Sequence, residues 1–154
     1  MTVQKLLLDT NIILDFLGKR GPHFAETRLL MLAGKIGEFS LWIASSQVTD
    51  LIYILTNGGN KSKTQEVLEK LRSLRTFINV HSVSDTDIDR MLATTWNDPE
   101  EALLVDIALR MRADAVITRD AEFPKSDAIR VHDCPGLFAW LEKEKGISYA
   151  EVNI

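Results

Sequence analysis

Apolar positions along this chain switch between an unbroken or two-residue pattern and a three-to-four-residue pattern, which predicts strands handing over to helices. A run opening at Val3 and ending in Leu6-Leu7-Leu8 predicts a strand buried on both faces, and it stops on Asp9. Ile12-Ile13-Leu14-Asp15-Phe16-Leu17 continues as a short helix, closed by a turn at Gly18-Lys19-Arg20-Gly21-Pro22. Ala25, Leu29, Leu32 and Ile36 mark the apolar face of a helix reaching about Gly37. Leu41-Trp42-Ile43-Ala44 predicts a second strand, after which Ser45-Ser46 cap a helix beginning at Gln47. Val48, Leu51, Ile52 and Leu55 form that helix's apolar face, and Asn57-Gly58-Gly59-Asn60 ends it. A polar helix from Ser62 to Leu74, a strand Phe77-Ile78-Asn79-Val80, and a helix from Asp85 to Thr94 capped by Ser84 follow. Asp98-Pro99 is an N-cap followed by proline at the first helical position, opening a helix to about Arg112. Ala115-Val116-Ile117 predicts a fourth strand and Ile129-Arg130-Val131 a fifth, before a closing helix that starts at Pro135. Strands alternating with helices predict an α/β fold with a mostly parallel, helix-covered sheet.

Composition narrows the class. The chain has 154 residues, enough for one domain with a real core, and its 45% hydrophobic and 26% charged residues are the balance of a globular protein. Residues 1–145 are expected to form that single domain and 146–154 a C-terminal tail. One cysteine, Cys134, excludes an internal disulfide and fits a reducing, cytoplasmic compartment. Lys5 is followed by only three leucines before Asp9, so the opening does not read as a signal peptide, and no apolar run approaches a membrane span. A net charge of −4 argues against unspecific coating of nucleic acid, yet leaves room for a nuclease whose own site is acidic.

The carboxylates carry the chemistry. Asp9 and Asp120 each follow an apolar strand, while Asp50 and Glu101 sit near the starts of helices, so all four are expected at one edge of the sheet. In open α/β folds the C-terminal edge is where ligands bind. Acids gathered there repel one another unless cations neutralise them, and hard ions such as Mg²⁺ or Mn²⁺ prefer oxygen ligands. Each acid also has a plainer role: Asp9 or Asp98 as a helix cap, Asp50 or Glu101 favoured by a helix dipole, Asp120 in a turn. His23, His81 and His132 are scattered and offer no rival cluster. No phosphate-binding glycine loop, dinucleotide fingerprint or serine triad is present in the sequence.

Four segments occur in order: Leu8-Asp9-Thr10-Asn11-Ile12-Ile13-Leu14-Asp15, Ser46-Gln47-Val48-Thr49-Asp50-Leu51-Ile52-Tyr53, Asp98-Pro99-Glu100-Glu101-Ala102-Leu103 and Ile117-Thr118-Arg119-Asp120-Ala121-Glu122-Phe123. The set resembles the motifs of the PIN-domain family, and particularly its branch of VapC-type toxin ribonucleases. The resemblance spans nearly the whole chain, including Pro135 to Phe138. It implies a three-layer α/β/α sandwich, Mg²⁺- or Mn²⁺-dependent cleavage of RNA, a homodimer, and a small antitoxin protein as partner. It also implies catalytic and metal-binding roles for Asp9, Asp50, Glu101 and Asp120, with Thr10 and Asn11 bracing the Asp9 loop. Thr118 would hydrogen-bond the acids from behind.

Three positions depart from the family pattern. The second acid is often Glu and is Asp50 here, and the third is usually Asp and is Glu101 here, with Asp98 and Glu100 as substitutes. The fourth is often Asn in this branch, and Glu122 competes with Asp120. A second reading keeps the fold but makes it a catalytically silent scaffold that binds RNA or protein. A phosphatase of a doubly wound fold is a third, weakened because Asn11 stands where a second Asp is wanted. Trp42, Tyr53, Trp96, Phe138 and Trp140 are more aromatic area than a small core needs, and are candidates for a dimer interface as well as for packing.

Overall fold

The computed structural model describes residues 3–149. Strand β1 (Gln4–Leu8) leads into helices α1 (Thr10–Leu17) and α2 (Gly21–Lys35), then β2 (Phe39–Ala44) and α3 (Ser45–Leu55). A short 3-10 turn (Lys61–Lys63), α4 (Thr64–Arg75), β3 (Ile78–His81), α5 (Asp85–Leu92) and α6 (Pro99–Arg110) follow. The chain ends its described part with β4 (Ala115–Ile117), β5 (Arg130–His132) and α7 (Cys134–Lys145). The strands form one sheet in the order β3-β2-β1-β4-β5, and every pairing is parallel. Strand β1 is therefore central, and Leu6, Leu7 and Leu8 are fully buried.

Those three leucines point alternately to two cores. Leu6 and Leu8 face Ile12, Leu30, Met31, Leu51 and Leu137, from the helices on one side. Leu7 faces Leu103, Leu104, Ile107 and Val116, under α6. The result is a three-layer α/β/α sandwich. Because β2 and β4 leave β1 on opposite sides, the strand order reverses at β1, and crevices open beyond the C-terminal ends of strands at such a reversal. No helix among the described residues is long and apolar enough to cross a membrane. Beyond α7, Tyr149 packs its ring against Phe39 and Phe138, at 5.5 and 5.3 Å between centroids. The last part of the expected tail, 150–154, lies outside the described residues.

Two expectations are corrected. The buried stripe of α2 is Thr27, Leu30, Met31, Ala33 and Gly34, whereas Ala25 and Ile36 are exposed. Counting only apolar residues missed that Gly34 is the contact: a Cβ there would lie 2.3 Å from Leu41 Cδ1, so α2 approaches β2 by lacking a side chain. Helix α3 begins at Ser45 rather than Gln47, with Ala44 in the cap position. The serines do not cap it; Ser45 Oγ instead accepts from Val83 N at 2.9 Å. Ser84 does cap α5, accepting from Asp87 N, and Asp98 caps α6. Of the expected interface aromatics, Phe138, Trp42 and Trp140 pack against the cores, while Tyr53 and Trp96 stay 64% and 39% exposed.

Helix α6, which carries two of the candidate acids, is tied to α5 by a buried charge. Asp87 Oδ2 accepts from Arg110 Nη2 at 2.7 Å and from Ser84 N and Oγ. Burial pushes the Asp87 carboxyl up, but the Arg110 and Ser84 bonds together outweigh it and hold the group below its ordinary 3.8. Asp87→Asn should therefore cost about 2 kcal/mol at neutral pH, less than the roughly 3–5 kcal/mol of a fully buried pair because Arg110 is partly solvated. The contribution is present above the unfolded value and lost as pH falls through the lower folded one. Urea denaturation should show the gap between wild type and variant closing from pH 6 to pH 2.5; a gap that is constant with pH contradicts this.

Candidate functional site

Asp9 is held where β1 becomes α1. It occupies the N-cap, with φ −69° and ψ 156°, and its Oδ1 accepts from Thr10 N at 2.7 Å. Its own N–H continues the ladder to Ile117 O at 2.8 Å, which fixes it beside the end of β4. Oδ2 accepts from Thr118 Oγ1 at 2.8 Å and from Asn11 Nδ2 at 3.4 Å. Thr118 is buried, and its hydroxyl accepts in turn from Asn11 Nδ2 (3.3 Å) and Asp120 N (3.1 Å). One donor and two lone pairs are thus all used. Asn11 Oδ1 accepts from Arg119 N at 3.1 Å, so Asn11 and Thr118 lock the loops after β1 and β4 together. Asp9 thus caps α1 with one oxygen and turns the other to the Thr118 and Asn11 side chains.

The remaining acids gather around Asp9. Burial raises the Asp9 carboxyl above its ordinary 3.8 despite the Thr118 and Thr10 bonds, and the charges of Asp120 and Asp98 add to the rise. Glu100 is pushed up to about 7, first by its hydrogen bond with Asp50, then by burial and by the charges of Asp50, Asp98 and Asp9. Glu101 is likewise pushed up to about 7, by burial, by a hydrogen bond with Asp120, and by Asp98, Asp120 and Asp9. Asp98 Oδ1 caps α6, accepting from Glu100 N (3.0 Å) and Glu101 N (3.2 Å). A cavity of about 60 Å³ is lined by Asp9, Thr10, Ser46, Gln47, Glu100 and Glu101, with Asp98 at its wall. Glu122 is exposed and meets the site through its backbone N–H, which donates to Asp120 Oδ1 at 2.9 Å.

Asp9, Asp50, Glu101 and Asp120 are thus brought together, joined by Asp98 and by Glu100. None of the ion pairs among the described residues involves any of these six acids. The carboxyls pair off, Glu100 with Asp50 and Glu101 with Asp120, instead of converging on one point. Accordingly no three acid, histidine or cysteine groups among the described residues already form a cage for an ion. The donor chemistry nonetheless fits a hard divalent cation, being all carboxyl oxygen with no ion-pair partner among the described residues.

Three further residues shape the site. Gln47 is 2% exposed; its Oε1 accepts from Ala44 N (2.6 Å), and its Nε2 donates to Leu8 O (2.9 Å) and Thr10 Oγ1 (3.1 Å). Asp15 is fully buried and takes both prongs of Arg119, Nε to Oδ2 at 2.6 Å and Nη2 to Oδ1 at 3.1 Å. Arg119 therefore turns its charge away from the acids and pins the loop after β4 to α1. An acid on the apolar stripe of α1 was the available signal for Asp15. For Gln47 the signal was a Gln three residues after a strand's last residue, the third helical position of a capping box.

The paired carboxyls make stability depend on pH when no divalent cation is bound. The folded state keeps protons on Glu100 and Glu101 up to about pH 7, whereas the unfolded chain releases them near 4.5. Stability is then greatest below the unfolded value and falls as pH rises through the folded one. His132, pushed down by burial and by Arg130, works in the opposite sense, so the comparison needs a variant. In EDTA, the doubly substituted Glu100→Gln, Glu101→Gln protein should lose less melting temperature than wild type between pH 5.5 and pH 8. Equal losses would show that these carboxyls do not share protons.

Comparison with known proteins agrees with the geometry. The PIN domain family model matches residues 5–122, a span that holds every candidate acid. No curated protein matches the chain. Among solved structures, a chain of VapBC2 from Rickettsia felis, crystallised bound to a DNA fragment from its promoter, superposes with a TM-score of 0.61 at 16% identity, covering 84% of this chain and 98% of that one. A chain of a toxin–antitoxin complex from Klebsiella pneumoniae gives 0.56 at 17% identity, covering 80% and 94%. At those identities the structures share the fold. With the family model covering most of its length, the chain belongs to the PIN-domain family.

Proposed function

We propose that this PIN domain is a divalent-cation-dependent endoribonuclease acting on RNA phosphodiester bonds, and that it is the toxin of a toxin–antitoxin pair. The observation that carries the nuclease reading is the group of six carboxylates at the C-terminal edge of the sheet, with none of the ion pairs among the described residues involving them. Asp9, Asp50, Glu101 and Asp120 would hold Mg²⁺ or Mn²⁺; of the two substitutes for Glu101, Glu100 lies beside Asp50 and Asp98 is occupied in capping α6. A cation bound there supplies positive charge against a phosphoryl group and lowers the pKa of water. Thr118, Thr10 and Asn11 keep the Asp9 carboxylate oriented.

The toxin reading rests on the family and on the fold shared with chains of toxin–antitoxin complexes. An apolar groove of about 500 Å³ also supports a protein partner. Its lining combines Phe16, Leu17 and Phe24 with Lys19, Lys35 and Lys70, a composition suited to an acidic amphipathic segment such as an antitoxin tail. Tyr53 and Trp96 are the exposed aromatics left for a homodimer interface, and a cytoplasmic location accords with the single buried thiol of Cys134.

Purified protein should cleave RNA with Mn²⁺ or Mg²⁺ and stop in EDTA. Asp9→Asn should cost about 100-fold or more in rate, since even partners behind a ligand are worth 10–100-fold. Glu100→Gln and Glu101→Gln, assayed side by side, rank the two candidates for the third acid. RNA binding without cleavage under either cation contradicts the nuclease reading and leaves the silent scaffold.

A further inference from the structure

We infer that Gln47 is a positioning residue that sets the spacing of Asp9 from Asp50, by joining β1 to β2 beyond the point where their ladder ends. The inference rests on the metal-site reading above. Residue pairing between β1 and β2 runs from Gln4 with Phe39 to Leu7 with Trp42, and no further. Beyond it, Ile43 and Ala44 remain paired only with β3, through Val80 and His81. The ends of β1 and β2 therefore part where one delivers Asp9 and the other delivers α3, the helix of Asp50.

The Gln47 amide fills the gap as a peptide group would. Its Oε1 takes the Ala44 N–H and its Nε2 gives to the Leu8 carbonyl, so one side chain offers a donor and an acceptor to two strands. The second Nε2 hydrogen reaches Thr10 Oγ1, on the residue whose N–H holds Asp9 Oδ1. The same side chain lines the acid cavity with Asp9, Glu100 and Glu101. An amide is suited to this place on two grounds. A carboxylate could not donate to Leu8 O, and it would bring another negative charge into a group already under repulsion. A shorter amide at the third helical position would not span both strands. Asp50 follows one turn along α3, so any play between the strand ends becomes play between the two carboxylates.

The test compares Gln47→Met with Leu74→Ala in Mn²⁺ binding. Met keeps the length and shape of Gln and removes all three bonds, while Leu74, buried on α4, serves as a destabilised control remote from the acids. Binding is read from the free-Mn²⁺ electron paramagnetic resonance signal and scaled to the folded fraction. A positioning role predicts a weakening of about tenfold or more for Gln47→Met, the size seen when partners behind a metal ligand are removed, with Leu74→Ala binding as wild type. Equal binding in all three overturns the inference and makes Gln47 a structural residue only. If Gln47→Met fails to fold, Thr10→Val severs one of the three bonds and should weaken Mn²⁺ binding in the same direction; wild-type affinity there also overturns it. Absence of Mn²⁺ uptake by the wild type overturns the metal reading first, and this inference with it.

Discussion

Mutual repulsion among carboxylates is the constraint under which the functional end of this molecule is built. Six acids are delivered to one edge of a sheet by four parts of the chain, three of them from the start of α6, and the neighbours of Asp9 that raise its carboxyl, Asp120 and Asp98, lie on different loops. The like charges oppose the arrangement, relieved in part by the hydrogen bonds of Glu100 with Asp50 and of Glu101 with Asp120. It is held by features that do not depend on the acids being neutral: the buried leucines of β1, the parallel ladders to β2 and β4, and the caps of α1 and α6. Stability stored in the two cores is what permits charge of one sign to accumulate at the rim.

The rim has its own frame of neutral or internally paired groups. Thr118 and Asn11 join the β1 and β4 loops by hydrogen bonds, Arg119 and Asp15 join β4 to α1 by a buried ion pair, and Gln47 joins β1 to β2. In each case the linking group either carries no charge or has its charge cancelled within the frame. The acids are left as the uncancelled part, which is the condition for a cation to be drawn in and for the site to respond to pH.

Much of this was legible in the residues. The uninterrupted leucines before Asp9 announce a central strand, Asp98-Pro99 announces a helix start, and both lie where expected. The phase of α2 was not legible, because its inner face is built on Thr27 and Gly34, and a glycine chosen for close approach leaves no mark in a hydrophobic pattern. The start of α3 was misplaced because serines look like caps, while the bond that opens the helix comes from Gln47 reaching back to Ala44. At the site, Asp9 could be picked out from a strand end, while a role for Thr118 came only from the resemblance to the PIN-domain family. Glu100 and Glu101 are adjacent on one helix, and only the folded arrangement shows one turned to Asp50 and the other to Asp120.

The central claim, that the acids form a cation site around Asp9, is tested most directly by paired thermal melts with and without Mn²⁺. A cation that binds only the folded state at a hundred times its dissociation constant adds about 2.7 kcal/mol. For a chain of this size that is a rise of roughly 5–10 °C. Wild type should show the rise and Asp9→Asn should show little of it, since the variant exchanges the shared charged ligand for a neutral amide. Equal Mn²⁺ shifts in the two proteins, or none in either, would contradict the account.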